Sequence, residues 1–150
     1  MRRVSAHPDN RHSPERGSTL LIYPAAVMVL LLLAAIAIDL SALHLARREL
    51  IAATSRAADD GAAMIDRAEA RRTGATRTDS AAAERVVRDE LAVADLPGRL
   101  VGQPTVAVSP GTNTVTVTAS LEVEPIFGVV SGRGPQVVTV ATSGRLLDVD

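Results

Sequence analysis

The residues best suited to chemistry are two carboxylates, Glu122 and Glu124, which stand two positions apart in a segment of alternating polarity. Side chains two apart on a strand share one face, so this pair could serve as general acid and general base. That role requires an environment that separates the two pKa values. Because their face of the strand is otherwise polar, we interpret the pair as a solvated surface.

Two short motifs carry oxygen ligands of the kind that bind metal ions. The Asp-Leu-Ser motif at residues 39–41 matches the start of the D-x-S-x-S motif of adhesion domains, but position 43 is a leucine. It also follows an apolar helix, and we interpret it as a cap at a membrane edge. The Asp-Asp-Gly motif at residues 59–61 lacks the spaced oxygens and final glutamate of a calcium loop. The sequence therefore predicts no metal site.

Nucleophilic and phosphate-binding chemistry have no stronger candidates. His44 is isolated, with no fixed carboxylate or serine partner, while His7 and His12 lie in a polar leader, and the chain contains no cysteine. The Gly-Arg-Gly turn at residues 132–134 lacks the strand–helix context of a phosphate-binding loop. We predict that the protein is not an enzyme and uses no cofactor.

Composition argues against nucleic acid as a partner. Tyr23 and Phe127 are the only aromatic residues, so there is no platform on which bases could stack. The net charge is −1, and the basic residues, all arginine, are mixed with acidic ones along the chain. No basic face is expected, and nucleic-acid binding is not predicted.

An uncharged apolar run, residues 17–38, organises the chain. As a helix it would rise about 33 Å, enough to cross the hydrocarbon core of a membrane. A cleaved signal has an apolar region of only about 7–15 residues. We predict a disordered leader over residues 1–17 and a transmembrane helix over residues 18–38, in contact with membrane lipid. The four arginines of the leader favour a cytoplasmic N-terminus and an extracytoplasmic C-terminal part.

The helical pattern continues beyond the apolar run, and we predict one helix over residues 19–72, with residues 39–72 outside the membrane. Small apolar residues at spacings of three and four form a narrow stripe on this outer half. The stripe has too little bulk to be stable alone, so it is expected to pack against the chain's own sheet or against the same stripe of neighbouring subunits. It comprises Leu43, Ala46, Leu50, Ala53, Ala57, Gly61 and Met64, followed by Ala68.

Residues 73–150 are predicted to form a small α+β domain. A helix over residues 80–94 begins at an N-cap, Thr78 or Asp79, and is stopped by a Pro-Gly pair. Alternation then predicts three antiparallel strands, whose apolar face requires the outer half of the long helix or the shorter helix laid across it. The strands are predicted over residues 105–109, 115–124 and 136–146, and the loop side chains expected to tuck under the sheet are Ile126, Phe127, Val129 and Val130.

Several motifs follow one another in a recognisable order. Arg16 and Gly17 end the leader, Asp39 and Leu40 close the apolar run, and the segments LARREL at residues 45–50 and AADDGAA at residues 57–63 follow. This order resembles the Flp pilus assembly TadE/TadG-like proteins, the pseudopilins of the tight-adherence machinery. Their pattern is a glycine, an apolar run, an exit of the VDLGRLYLARRQLQ type and an alanine-rich stretch. The VTVTASLEVEP and VVTVATSGR segments also resemble the small β part of TadE-type members.

The resemblance implies a pilin-like protein that crosses the cytoplasmic membrane once and assembles with other pilus or pseudopilin subunits. Some members are cut after the glycine by a prepilin peptidase, which corresponds here to cleavage between Gly17 and Ser18. Pilins of this class carry glutamate and then tyrosine at the fifth and sixth mature positions, where this chain has Ile22 and Tyr23. The alternative function is a membrane-anchored binding or sensing module without catalytic activity, whose mark would be a formed pocket in the β part.

Overall fold

In the computed structural model, which describes residues 18–109, 111–128 and 132–146, the chain folds into three helices and a small antiparallel sheet. The first helix, α1 (Ser18–Ala62), runs unbroken for 45 residues through the apolar run and past Asp39. Its composition is rich in alanine and leucine, which favour helix, and Pro24 near its start is tolerated. The predicted α+β fold class is confirmed.

The prediction that the first helix reaches residue 72 is wrong. After Ala62 the chain turns, and the amide of Met64 donates to the carbonyl of Gly61 at 3.2 Å. Asp66 then caps a separate short helix, α2 (Arg67–Thr73), by accepting hydrogen bonds from two amides of its first turn. The spacing of small apolar residues continues across this break, whereas aspartate is a better N-cap than an interior residue. The periodicity of the small apolar residues therefore predicted a helix that is longer than the observed one.

The third helix, α3 (Ser80–Val93), begins and ends as predicted to within one residue. Asp79, one of the two predicted caps, accepts hydrogen bonds from the amides of Ala81 and Ala82 at 3.0 Å. Its inner face is formed by the buried side chains of Ala83, Val87 and Leu91.

The sheet is built around β3 (Thr114–Val123), which has β4 (Gln136–Arg145) along one edge. Its other edge is shared end to end by β1 (Arg99–Leu100) and β2 (Thr105–Ser109). The sheet is therefore three strands wide, as predicted, but contains four strands. A strand of two residues is too short to show alternation, which is why β1 escaped the sequence analysis.

The core lies between the inner face of the sheet and the two helices that cross it, the outer half of α1 and α3. Both predicted candidates for covering the sheet do so. Helix and strand approach closely at Gly144 of β4, where a Cβ atom would overlap the Ala58 carbonyl group and lie 2.5 Å from the Asp59 amide nitrogen. The fully buried side chains with the largest volume are Leu50, Leu91, Leu121, Val87, Val115, Val117 and Thr54.

Strand β4 forms one border of the sheet and runs in the same direction as α1. Gln136 at its start lines a cleft with Asp39, whereas Gly144 near its end lies against Ala58. Within the described ranges, no backbone group pairs with the outer edge of β4.

Candidate functional site

The inner half of α1 presents an apolar surface that no other described part of the chain covers from Ile22 to Ala34. Among the described residues, α1 is the one helix long and apolar enough to cross a membrane, judged by length and composition. Exposed apolar surface of this extent marks an interaction site. The large exposed side chains of this surface are Ile22, Tyr23, Val27, Met28, Val29, Leu30, Leu31, Leu32 and Leu33.

The predicted processing residues lie at the N-terminal end of this surface. Ser18 is the first residue of α1, and Gly17 lies outside the described residues. Ile22 and Tyr23 are 60% and 77% exposed, so both side chains are open to lipid or to a neighbouring subunit. The cleavage between Gly17 and Ser18 therefore stays a prediction.

Asp39 marks the junction between the exposed half of α1 and the domain. Its residue is only 7% exposed, and its Oδ1 accepts a hydrogen bond from the Phe127 amide at 2.9 Å. Because α1 passes through Asp39 without a break, the interpretation of this residue as a helix cap is wrong. The carboxylate instead binds backbone of the loop between β3 and β4.

Two clefts flank this junction. The first, about 390 Å³, lies in the apolar run and is lined by Met28, Leu31, Leu32, Ala34, Ala35, Ile38 and Phe127. The second, about 300 Å³, lies on the side of the sheet and is lined by Asp39, Leu40, Ala42, Leu43, Val123, Glu124, Pro125, Arg133 and Gln136.

Ile126 and Phe127, in the described part of the loop between β3 and β4, do not tuck under the sheet as predicted. Phe127 lies beside the apolar run of α1, and Ile126 is 66% exposed. The loop leaves the sheet at the end nearest the apolar run, and Asp39 binds its backbone there. Val129 and Val130, the other two residues of that prediction, lie outside the described residues.

The stripe of small residues on the outer half of α1 packs against the chain's own sheet and α3. Of the two predicted packing partners of the stripe, the structure therefore contains the chain's own sheet. Leu43 and Met64 at its ends are half-buried, and Ala68 is exposed on α2. Helix geometry places Leu45, Arg48 and Ala52 on the opposite, exposed face of α1. The buried members of the stripe are Ala46, Leu50, Ala53, Ala57 and Gly61.

Of the polar residues considered for chemistry, only Asp39 and Glu124 are brought together among the described residues, at the second cleft. Glu122 pairs with Arg99 at 2.5 Å, Glu124 lies at the second cleft, and His44 is exposed on α1. His7 and His12 lie outside the described residues. Across residues 18–109, 111–128 and 132–146, no three histidine or acidic side chains are arranged to hold a metal ion.

One carboxylate that sequence analysis missed is Glu90 on α3. Partial burial and the neighbouring carboxylate of Asp60 raise the pKa of Glu90, and the nearby guanidinium of Arg56 opposes them. Its Oε2 is buried without a hydrogen-bond partner. The sequence does not indicate this pair of carboxylates, because Asp60 and Glu90 are distant in sequence and meet only when α3 packs on α1.

Glu90 should make stability depend on pH. Because the pKa of Glu90 is raised in the folded chain, its favourable contribution is complete below the unfolded value of 4.5 and is lost as the pH rises through the folded value. We expect Glu90→Gln to raise the midpoint of thermal unfolding at neutral pH and to leave it unchanged in acid. Asp89→Asn, on the exposed side of α3, is the control. An equal shift at both pH values would contradict the assignment.

No known protein family, curated protein or solved structure matches the chain. The candidate site is accordingly interpreted from the chemistry of its own residues.

Proposed function

We propose that the protein is a pseudopilin-like structural or assembly subunit of a Flp/Tad-type pilus, anchored in the cytoplasmic membrane by the inner half of α1. The leader is cytoplasmic in this proposal, and the α+β domain is extracytoplasmic. The observation that carries it is the division of α1 between two environments. From Ile22 to Ala34 the helix is apolar and no described residue covers it, whereas the outer half forms a wall of the domain core. This pilin-like arrangement presents a folded domain on a rigid helix at the membrane.

The motifs that resemble the TadE/TadG-like proteins support the pilus assignment. A lateral contact between subunits would use surfaces that the domain leaves open, since its own sheet and α3 cover the stripe. These open surfaces are the exposed inner half of α1 and the outer face that carries Leu45 and Ala52. Small and apolar side chains suit helix packing in and just above a membrane.

The alternative, a membrane-anchored binding or sensing module, has weaker support. The second cleft, lined by Asp39, Glu124 and Arg133, is the pocket in the β part that it would use. Its two acidic groups and single arginine do not converge on a defined ligand chemistry.

The pilus assignment is tested by deleting the gene in its host and counting surface pili by electron microscopy. We expect deletion to abolish or sharply reduce pili, and the unaltered gene to restore them. Normal piliation in the deletion strain would overturn the assignment. Complementation with Leu45→Ala would also probe the exposed face of α1, where loss of pili by a stably membrane-bound variant indicates a subunit contact.

Processing is a separate prediction of the proposal. We expect the intact mass of protein purified from membranes to fall by the mass of residues 1–17 when prepilin peptidase is present, with Ser18 as the new N-terminus. Gly17→Val is the matched control, because a branched side chain at the cut site should block cleavage. Full-length protein with and without the peptidase would contradict processing, while the deletion experiment would still decide the pilus assignment.

A further inference from the structure

We propose that the start of the loop between β3 and β4 is a second membrane contact, in which Ile126 and Phe127 enter the extracytoplasmic leaflet beside α1. Lipid acyl chains then occupy the apolar cleft between Phe127 and the helix. This inference rests on the membrane anchoring in the proposed function and adds a lipid-binding surface that belongs to the domain rather than to the anchor.

The depth of the cleft along α1 supports this placement. The helix residues that line it extend from Met28 to Ile38, a rise of about 15 Å at the standard spacing. They fall in the second half of the uncharged run at residues 17–38, and a hydrocarbon core requires about 20 residues of helix. The run is thus barely longer than the core, so its second half occupies the outer leaflet. Phe127, which lies beside that half, is at the same depth.

The chemistry of the cleft selects an acyl chain as its occupant. All seven lining residues are apolar, and none supplies a charged side chain for a polar ligand. Ile126, which precedes Phe127 in the chain, is 66% exposed and adds apolar surface at this end of the domain. Hydrocarbon solvates such a surface without the free-energy cost of contact with water.

The backbone of the loop is prepared for a site with little water. An amide at the boundary of the hydrocarbon core has less water to accept its hydrogen bond, and an unsatisfied amide there would be costly. Asp39 meets this requirement, since its carboxylate accepts the bond from the Phe127 amide at 2.9 Å. Arg133 is exposed at the second cleft, nearer the sheet. Its guanidinium lies at the headgroup level, where lipid phosphates are available.

The test uses the absence of tryptophan from the chain, which allows single reporters to be introduced. Full-length Ile126→Trp is reconstituted in phosphatidylcholine vesicles, with and without lipids brominated on their acyl chains. Leu30→Trp reports the middle of the anchor. Val93→Trp, at an 83% exposed site on α3, is the control, because Val93 lines a cleft with Glu49 and Ala53, which lie about 16 Å or more along α1 beyond the apolar run. All three sites are exposed, so the added ring does not disturb the core.

We expect Ile126→Trp to show a blue-shifted emission and a loss of fluorescence in brominated vesicles comparable to that of Leu30→Trp, with no loss for Val93→Trp. If Leu30→Trp is quenched and Ile126→Trp behaves like Val93→Trp, the loop contact is overturned and the anchor stands. If Leu30→Trp is not quenched, membrane anchoring itself is overturned. Quenching of Ile126→Trp that disappears as the ratio of protein to lipid rises would show a second copy in the cleft, which overturns lipid as its occupant.

Discussion

Replacing Gly144 with alanine is expected to unfold or severely loosen the domain, although the change adds a single methyl group. The Cβ atom would overlap the carbonyl group of Ala58 on α1. Backbone atoms cannot move aside as a flexible side chain does, so α1 and β4 must separate along their contact. Overpacking typically costs about 1–3 kcal/mol, and a clash with backbone belongs at or above the upper end. Because folded domains are stable by only about 5–15 kcal/mol, the loss is large.

The measurement is amide hydrogen exchange of β3 in the full chain in detergent micelles, since the central strand reports opening of the whole sheet. Gly134→Ala is the matched control, because its Cβ meets nothing within 4 Å. Unchanged protection of β3 in Gly144→Ala would contradict the observed packing of α1 on β4.

Leu50→Ala is expected to cost about 3–5 kcal/mol, the range found when a buried leucine is replaced by alanine and leaves a cavity. Leu50 is fully buried between α1, α3 and the sheet, where no neighbouring subunit can reach it. The loss should therefore appear as reduced protection of the domain's own amides and be independent of protein concentration. If the stripe instead mediated contacts between subunits, the same change would leave the isolated domain intact and weaken only association.

Leu45→Ala separates these outcomes on the same helix. Its side chain is exposed, so we expect a change in domain stability within about 0.5 kcal/mol. A loss of stability as large as that of Leu50→Ala would mean that the assignment of buried and exposed faces of α1 is wrong.

Elements with a strong local signal were predicted well from the sequence. The helix α3 has both a capping aspartate and a stop at Pro97 and Gly98. The alternation in β3 and β4 specified which face of each strand is buried, since a one-residue slip in register would turn Val115 and Val117 to the solvent. These features depend on neighbours in the chain, so tertiary contacts were not needed to find them.

The features that escaped prediction depend on contacts between distant residues. Helix α1 ends where Asp66 caps a new helix, although the spacing of small residues continues. The hydrogen bond between Asp39 and Phe127, and the approach of Glu90 to Asp60, join segments that only the fold brings together. The candidate site was therefore predicted as an apolar helix, whereas its second component, the loop, required the structure.

The outer edge of β4, which no described residue pairs, has a consequence for copies anchored in one membrane as proposed. Such copies all point the same way, and because β4 runs with α1, the β4 strands of two neighbours would be parallel. In a parallel pair, each residue that points toward the partner strand lies opposite a residue that points away. The two β4 strands must therefore be displaced from each other by one residue, about 3.3 Å along the strand. Two subunits anchored at equal depth present N–H to N–H and C=O to C=O, which prevents pairing. Subunits anchored at the same depth therefore cannot pair through this edge. A subunit raised out of the membrane by the length of one residue could pair with its neighbour.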